Sequence, residues 1–198
     1  MRQRLELVCG LDEAGRGALA GPVVAAAVVL DPRHRIAGLT DSKKLSARKR
    51  EALAEIIQRE ALSWSVAEAS PDEIHQLNIL RASLLAMRRA FLSLKRKDKT
   101  MDIVVDGRFY PDGMPRGRAL VRADATVPAV SAASILAKVH RDALMCKLEC
   151  RHPQFSFARH KGYPTPQHLR ELAEHRPLKL HRANFAPVRN ALQTRLPV

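Results

Sequence analysis

Short apolar runs alternate with charged and turn-forming stretches along the 198 residues, and the spacing inside each run predicts its element. Residues 5–11 read as a first strand, broken by Gly15-Arg16-Gly17. Residues 22–30 (PVVAAAVVL) are almost all Ala and Val, which fits a strand buried on both faces. After a polar loop at 39–45, residues 46–60 carry Leu53, Ile56 and Ile57 on one side, predicting an amphipathic helix. Leu62, Trp64 and Val66 alternate with Ser63 and Ser65 as in a half-buried strand with its apolar side inward. Ser70, Pro71 and Glu73 form a capping box that starts a helix, whose apolar face runs through Ile74, Leu77, Leu84, Leu85, Met87 and Phe91. Residues 101–105 form a short buried strand ending in Asp106-Gly107, and residues 119–121 form another, followed by Asp124. Residues 127–150 predict one long helix with Ala and Ser at its start, small enough to lie close on a sheet. In the tail, Tyr163-Pro164-Thr165-Pro166 is a turn capping a short helix around 167–175, followed by irregular Pro-containing sequence.

The resulting order, β-β-α-β-α-β-β-α, predicts an α/β fold with a mixed sheet. There are no internal repeats and no low-complexity linker. The length suits one domain over residues 1–150 with an appendage over 151–198.

Charge changes this picture. The chain holds 34 Lys and Arg against 20 Asp and Glu, a net +14 that favours a polyanionic partner. Half of it, +7, falls after residue 150, where 9 Lys and Arg face Glu171 and Glu174. That extension is the expected phosphate-tracking surface. Cys9, Cys146 and Cys150 make an odd count with no disulfide framework, as suits a reducing compartment. Cys146, Cys150 and His152 could be drawn as a zinc site, but their spacing on a helix reads as packing. No signal-peptide-like or membrane-spanning run occurs, so the expectation is a cytoplasmic protein off the membrane, with a monomer as the default.

Acidic residues are scarce, and their positions are informative. Asp12-Glu13, Asp106 and Asp124 each follow an apolar strand, where a carboxylate stands at the rim of a sheet instead of inside it. Converging carboxylates repel unless a cation joins them, and an all-oxygen ligand set favours Mg²⁺ or Mn²⁺. Two such ions about 4 Å apart are a recurring device for phosphodiester hydrolysis. Each acid has a plainer reading. Asp106-Gly107 is a common turn dipeptide and Asp124 could cap the following helix. Asp12 and Glu13 point to opposite faces unless the chain leaves the strand there. Gly15-Arg16-Gly17 would let the backbone approach a phosphate, with Arg16 as a charge-assisted fork, or is only a tight turn.

Seven collinear blocks resemble ribonuclease HII, the bacterial type 2 ribonuclease H: DEAGRGALAGPV (12–23), DSKKLS (41–46), LNILRAS (77–83), VVDG (104–107), RADATVPAVSAASILAKVHRD (122–142), HKGYPT (160–165) and HRANFAPV (181–188). The resemblance implies a ribonuclease H-like fold, a five-stranded mixed sheet flanked by helices with a helical C-terminal extension. It implies a catalytic metal site at Asp12, Glu13, Asp106 and Asp124, holding two divalent cations, Mn²⁺ or Mg²⁺. It implies cleavage of RNA in RNA–DNA hybrids and nicking of DNA duplexes 5′ to an embedded ribonucleotide, leaving 5′-phosphate and 3′-hydroxyl ends. It also implies that Gly15, Arg16, Gly17 and Tyr163 sense the ribose 2′-OH and its neighbouring sugar, since the 2′-OH distinguishes RNA from DNA. Tyr163 alone could equally be a turn residue beside Pro164. Lys43, Ser134 and Lys138 are further substrate-binding candidates, with Ser131 on the same helical face, while Arg141-Asp142 reads as an internal charge pair. Ala18, Arg122 and Asn184 depart from the family's usual Pro, Lys and Ser. The rivals are a ribonuclease HIII, disfavoured by the 11 residues before Asp12, and a nucleic-acid-binding protein with an inactive nuclease fold.

Overall fold

The computed structural model describes residues 7–97 and 100–193. The start of the predicted first strand, Leu5 and Glu6, lies outside them. Five strands form one sheet in the order β3-β2-β1-β4-β5. They are β1 (Val8–Ala14), β2 (Val23–Val29), β3 (Ser63–Ala69), β4 (Asp102–Asp106) and β5 (Arg118–Leu120). The pairs β1–β2 and β2–β3 are antiparallel, and β1–β4 and β4–β5 are parallel. The mixed sheet is as expected.

Helices cover both faces. On one lie α2 (Pro71–Leu77) and α3 (Ile79–Ser93); on the other lie α1 (Ala47–Glu60) and α4 (Pro128–Arg151). Strand β2 has no exposed residue: Ala25 and Ala27 face the α3 side, Ala26 and Val28 the α4 side. Small side chains here let both helix layers close down on the sheet. The closest approach is at Gly10, where a Cβ would stand 2.2 Å from the backbone of Ala129 and Val130. Only glycine leaves room for the start of α4, which carries Ser131, Ser134 and Lys138 across the sheet.

Two expectations change here. Along β3 the buried side is Ser63 and Ser65, not Trp64, which is 38% exposed. The hydroxyls make this possible: Ser63 Oγ accepts from Arg96 N–H, and Ser65 Oγ donates to the Ala90 carbonyl. Trp64 instead lies along the end of α1, with its indole N–H donating to the Gln58 carbonyl. The single helix predicted from Ser70 is two, because Asn78 adopts φ 69°, closing α2 and capping α3 through its side chain on Arg81 N–H. With ψ 165° this is an extended positive-φ conformation that side chains rarely adopt, and the contact of the Asn78 side chain with Arg81 N–H helps to hold it.

The tail is also more helical than its prolines suggest. It forms α5 (Phe157–His160), α6 (Pro166–Glu174) and α7 (Ala186–Gln193). Phe155, Phe157, Leu172 and Val188 pack with Leu19, Ala20 and Met145 into a separate core. Cys146 and Cys150 are exposed on α4 and not packed, and no metal-holding group of three His, Cys, Asp or Glu occurs among the described residues.

Candidate metal and nucleic-acid site

The acidic residues collect at the ends of the central strands. Asp12 and Glu13 sit within β1, which continues in register with β2 through Ala14. The chain therefore does not leave the strand between them. The pairing with β4 stops at Leu11↔Val105, so both carboxylates lie on an overhang beyond the parallel ladder, beside Asp106 at the end of β4. Asp12, Glu13 and Asp106 line a cleft of about 600 Å³. Asp106 also borders a neighbouring hollow of about 770 Å³ that contains Asp124. Asp106 is thus the hinge of the cluster.

Asp124 lies in a single 3-10 turn, Ala123–Ala125, entered through Arg122 at φ 60°. Asp106 holds that turn by accepting from Ala123 N–H at 2.7 Å. Ser131 does the same from α4, donating to the Asp124 carbonyl at 2.6 Å. Ser131 is therefore buried in the support of Asp124, not open to a groove.

The electrostatics are those of a site short of cations. Burial, and then the charges of Glu13 and Asp106, hold the Asp12 carboxyl well above the usual carboxylate range. Burial raises Glu13 too, against the relief given by Arg16, whose guanidinium lies 3.2 Å away. Asp124 is raised by burial, Asp106 and Asp41, with Lys43 opposing. Asp12 accepts from Glu13 N–H at 2.7 Å and from the Ser134 hydroxyl. Ser42 stands 2.9 Å from Ser134, so a Ser42–Ser134–Asp12 chain ties the DSKK loop to the first carboxylate.

Among the described residues no three acids close into a ready ion cage. The donor chemistry nonetheless fits hard divalent cations: four carboxylates, no thiolate or imidazole, and mutual repulsion that positive charge would relieve.

Around the carboxylates stand the other expected residues. Gly15, Arg16, Gly17, Lys43, Ser134, Lys138 and Tyr163 all line the same cleft as Asp12. Lys138 pairs with Asp142 at 2.7 Å and lies 5.5 Å from the Tyr163 ring. Asp142 is taken up by Lys138, with Arg50 at 3.9 Å, so the expected Arg141–Asp142 pair does not form.

Arg141 has a different place, legible only as a charge on the buried face of α4. Fully buried, it donates to the carbonyls of Pro22, Ala20 and Lys161 and stands 5.3 Å from the Tyr163 ring. Arg182, also fully buried, donates to the carbonyls of Gly21 and Arg16. Burial and Arg141 lower its pKa to about 9. Nothing in its surrounding sequence signals this position.

The two glycines of the turn differ. Gly15 has φ 95°, and a Cβ there would stand 2.0 Å from Arg141 Nε; a Cβ on Gly17 meets nothing within 4 Å.

Comparisons with known proteins agree with this geometry. The family profile described as Ribonuclease HII matches residues 9–188. A Ribonuclease HII of Burkholderia vietnamiensis is 54% identical over 187 residues, spanning 94% of this chain and 86% of the relative. The crystal structure of the ribonuclease H2 from Pyrococcus horikoshii superposes with TM-score 0.80 at 28% identity, over 95% of this chain and 98% of that one. The RNase HII of Archaeoglobus fulgidus, solved as a complex with PCNA, gives TM-score 0.74 at 29% identity, over 96% and 97% of the two chains. The chain belongs to the ribonuclease HII family, and with it to the ribonuclease H endonucleases that hydrolyse RNA paired with DNA.

Proposed function

We propose that this endonuclease nicks DNA duplexes 5′ to single embedded ribonucleotides as well as cutting longer hybrids, by two-metal-ion hydrolysis that leaves 5′-phosphate and 3′-hydroxyl ends. The observation that carries the reading is one cleft lined both by Asp12, Glu13 and Asp106 and by Gly15, Arg16, Gly17 and Tyr163. Asp12, Glu13, Asp106 and Asp124 would hold the cations. When bound, Mg²⁺ or Mn²⁺ supplies an activated water and stabilises the leaving oxygen. Arg16 then exchanges its contact with Glu13 for a phosphate, while the open backbone at Gly17 approaches the sugar. Tyr163 lines the same cleft, where its ring tests one sugar and its neighbour. Residues 151–198 act as a basic extension that carries Tyr163 and follows the backbone.

A duplex with one ribonucleotide, offered with Mg²⁺ or Mn²⁺, tests this. The wild type should nick 5′ to the ribonucleotide, and Asp106→Asn, which keeps an oxygen for Ala123 N–H, should lose about 10²-fold or more in rate. No nick, or an unimpaired variant, refutes it.

A further inference from the structure

Behind Tyr163, away from the cleft, the tail buries a connected set of histidines. His160, His168 and His181 are each no more than 5% exposed. The rings of His160 and His168 stack with centroids 4.2 Å apart. His168 Nε2 lies 3.1 Å from His181 Nε2, and His160 Nε2 lies 2.9 Å from Glu171 Oε2. Phe155 and Phe157 wall the cluster on one side.

Backbone groups decide where each proton sits, because an amide N–H only donates and a carbonyl only accepts. Gly162 N–H donates to His160 Nδ1 at 3.1 Å, and Leu178 N–H donates to His181 Nδ1 at 2.9 Å. Both of those nitrogens must carry lone pairs. His168 Nδ1 faces the Tyr163 carbonyl at 3.0 Å, so it must carry a proton. The rest follows: His181 Nε2–H donates to His168 Nε2, and His160 Nε2–H donates to Glu171. All five contacts are met by one set of neutral tautomers and by no other.

A second proton finds no acceptor on any ring. On His168 it would meet the Nε2–H of His181; on His181, the N–H of Leu178; on His160, the N–H of Gly162. Glu171 of α6 is the anion in contact, and it already accepts from His160, Ser156 N–H and Gln167. Glu149 of α4 is engaged by Ala158 N–H. Around the cluster also stand His152 at the end of α4, His175 after α6, Lys161 and Tyr163 in the loop and Arg182 next to His181, while Arg159, Arg170 and Glu174 border the hollow beside His160 and Glu171. Burial and the neighbouring histidines push His168 down to about 4 and His181 to about 3, in keeping with this geometry.

We propose that His168, with His160 and His181 behind it, is a positioning residue for Tyr163: the one-directional neutral chain fixes the backbone of the 160–165 loop and so sets the enzyme's selectivity for single ribonucleotides. The chain grips this loop at Gly162 N–H and at the Tyr163 carbonyl, on either side of the residue that faces the cleft. The proposal rests on the reading of Tyr163 given above.

Two measurements test it. Long-range nitrogen NMR at neutral pH should find the proton on Nδ1 of His168 and on Nε2 of His160 and His181; any other pattern overturns the proposal. The rate ratio for a single-ribonucleotide duplex against a long hybrid is then compared in wild type, His168→Leu and His168→Asn. Leu should lower the ratio about tenfold, the scale of one misplaced hydrogen bond. Asn, whose amide can donate from near the Nδ1 position, should recover most of it. Unchanged selectivity in folded His168→Leu, or Asn no better than Leu, overturns the proposal. A wild type that ignores single ribonucleotides instead sinks the Tyr163 reading, and this proposal with it.

Discussion

Asp12→Asn should make the metal-free protein more stable while abolishing its activity. The wild-type side chain is 6% exposed and faces the charges of Glu13 and Asp106. Among the described residues no salt bridge reaches it, and Arg16, which lines the same cleft, is engaged by Glu13. An Asn in the same place keeps an oxygen for Glu13 N–H. It gives up some charge assistance in that bond, worth about 1 kcal/mol, and sheds the repulsion and part of the burial cost. The expected net gain is about 1–2 kcal/mol, or roughly 2–8 °C for a chain of this size. The pH dependence fixes the sign. Because folding raises the Asp12 pKa above its unfolded value, its contribution favours folding in acid and is lost as pH rises through the folded value. The variant's advantage should therefore be absent below about pH 4, near the unfolded carboxylate value, and grow as pH rises above it. The assay is thermal melting in EDTA at several pH values, repeated with Mn²⁺. At 100 times its dissociation constant the ion should stabilise the wild type by about 2.7 kcal/mol and the variant far less. A variant less stable than wild type in EDTA at pH 7, or one that gains equally from Mn²⁺, refutes the picture of a repulsive carboxylate cluster waiting for cations.

The two turn glycines should separate fold from function. Gly15→Ala combines a left-handed φ with a collision against a guanidinium pinned to three carbonyls; it should cost about 3 kcal/mol or more in urea unfolding. Gly17→Ala should stay within about 0.5 kcal/mol of wild type, because its Cβ enters open space. Any loss of cleavage in Gly17→Ala then reports on substrate approach, and a matched loss of stability in both variants would refute the distinction. Acid should also test the tail. His168 and His181 titrate at about 4 and about 3 when folded, below the unfolded value of about 6.5, so the unfolded chain takes up protons first. Their stabilisation is full above about pH 6.5 and falls toward pH 4, with a combined slope approaching 2.7 kcal/mol per pH unit, about half of which should disappear in His168→Asn. Urea melts of both proteins at pH 7, 5.5 and 4.5 measure this, and identical slopes would refute it.

The parts of the fold that the sequence made legible are those where local chemistry and tertiary context agree. The capping box at Ser70 forms as drawn, with Glu73 reaching back to Ser70 N–H. Strand β2 is buried on both faces because nothing but Ala and Val occupies it. The failures arise where a partner distant in the chain overrides the local pattern. Ser63 and Ser65 face inward only because Arg96 N–H and the Ala90 carbonyl meet them. Arg141 leaves its neighbour Asp142 for carbonyls 20 and more residues away. The candidate carboxylates were visible as strand ends, but the overhang that puts Asp12 and Glu13 on one cleft depends on where the β4 pairing stops. That register is not written in β1.

The same distant partners explain how two loops far apart in sequence come to face one cleft. Arg141 donates to Ala20 and Pro22 on one side and to Lys161 on the other, so a single buried side chain spans the segment after Gly15-Arg16-Gly17 and the loop before Tyr163. Leu19 N–H to the Gly162 carbonyl and Arg182 N–H to the Leu19 carbonyl close the same seam through the backbone. Arg182 adds the Arg16 carbonyl itself. Both guanidiniums donate to carbonyls and neither to a carboxylate, with Arg182 Nη2 left buried without a partner, so their positive charge is not cancelled within the seam. A carboxylate partner would hold the loops as firmly but would set a negative charge behind the face that must accept a phosphate. Carbonyl dipoles fix the geometry and leave the field positive where a polyanion would bind. The arrangement thus joins two requirements in the same two side chains: the loops move together, and the backbone they present stays attractive to nucleic acid beside a cluster of carboxylates that would otherwise repel it.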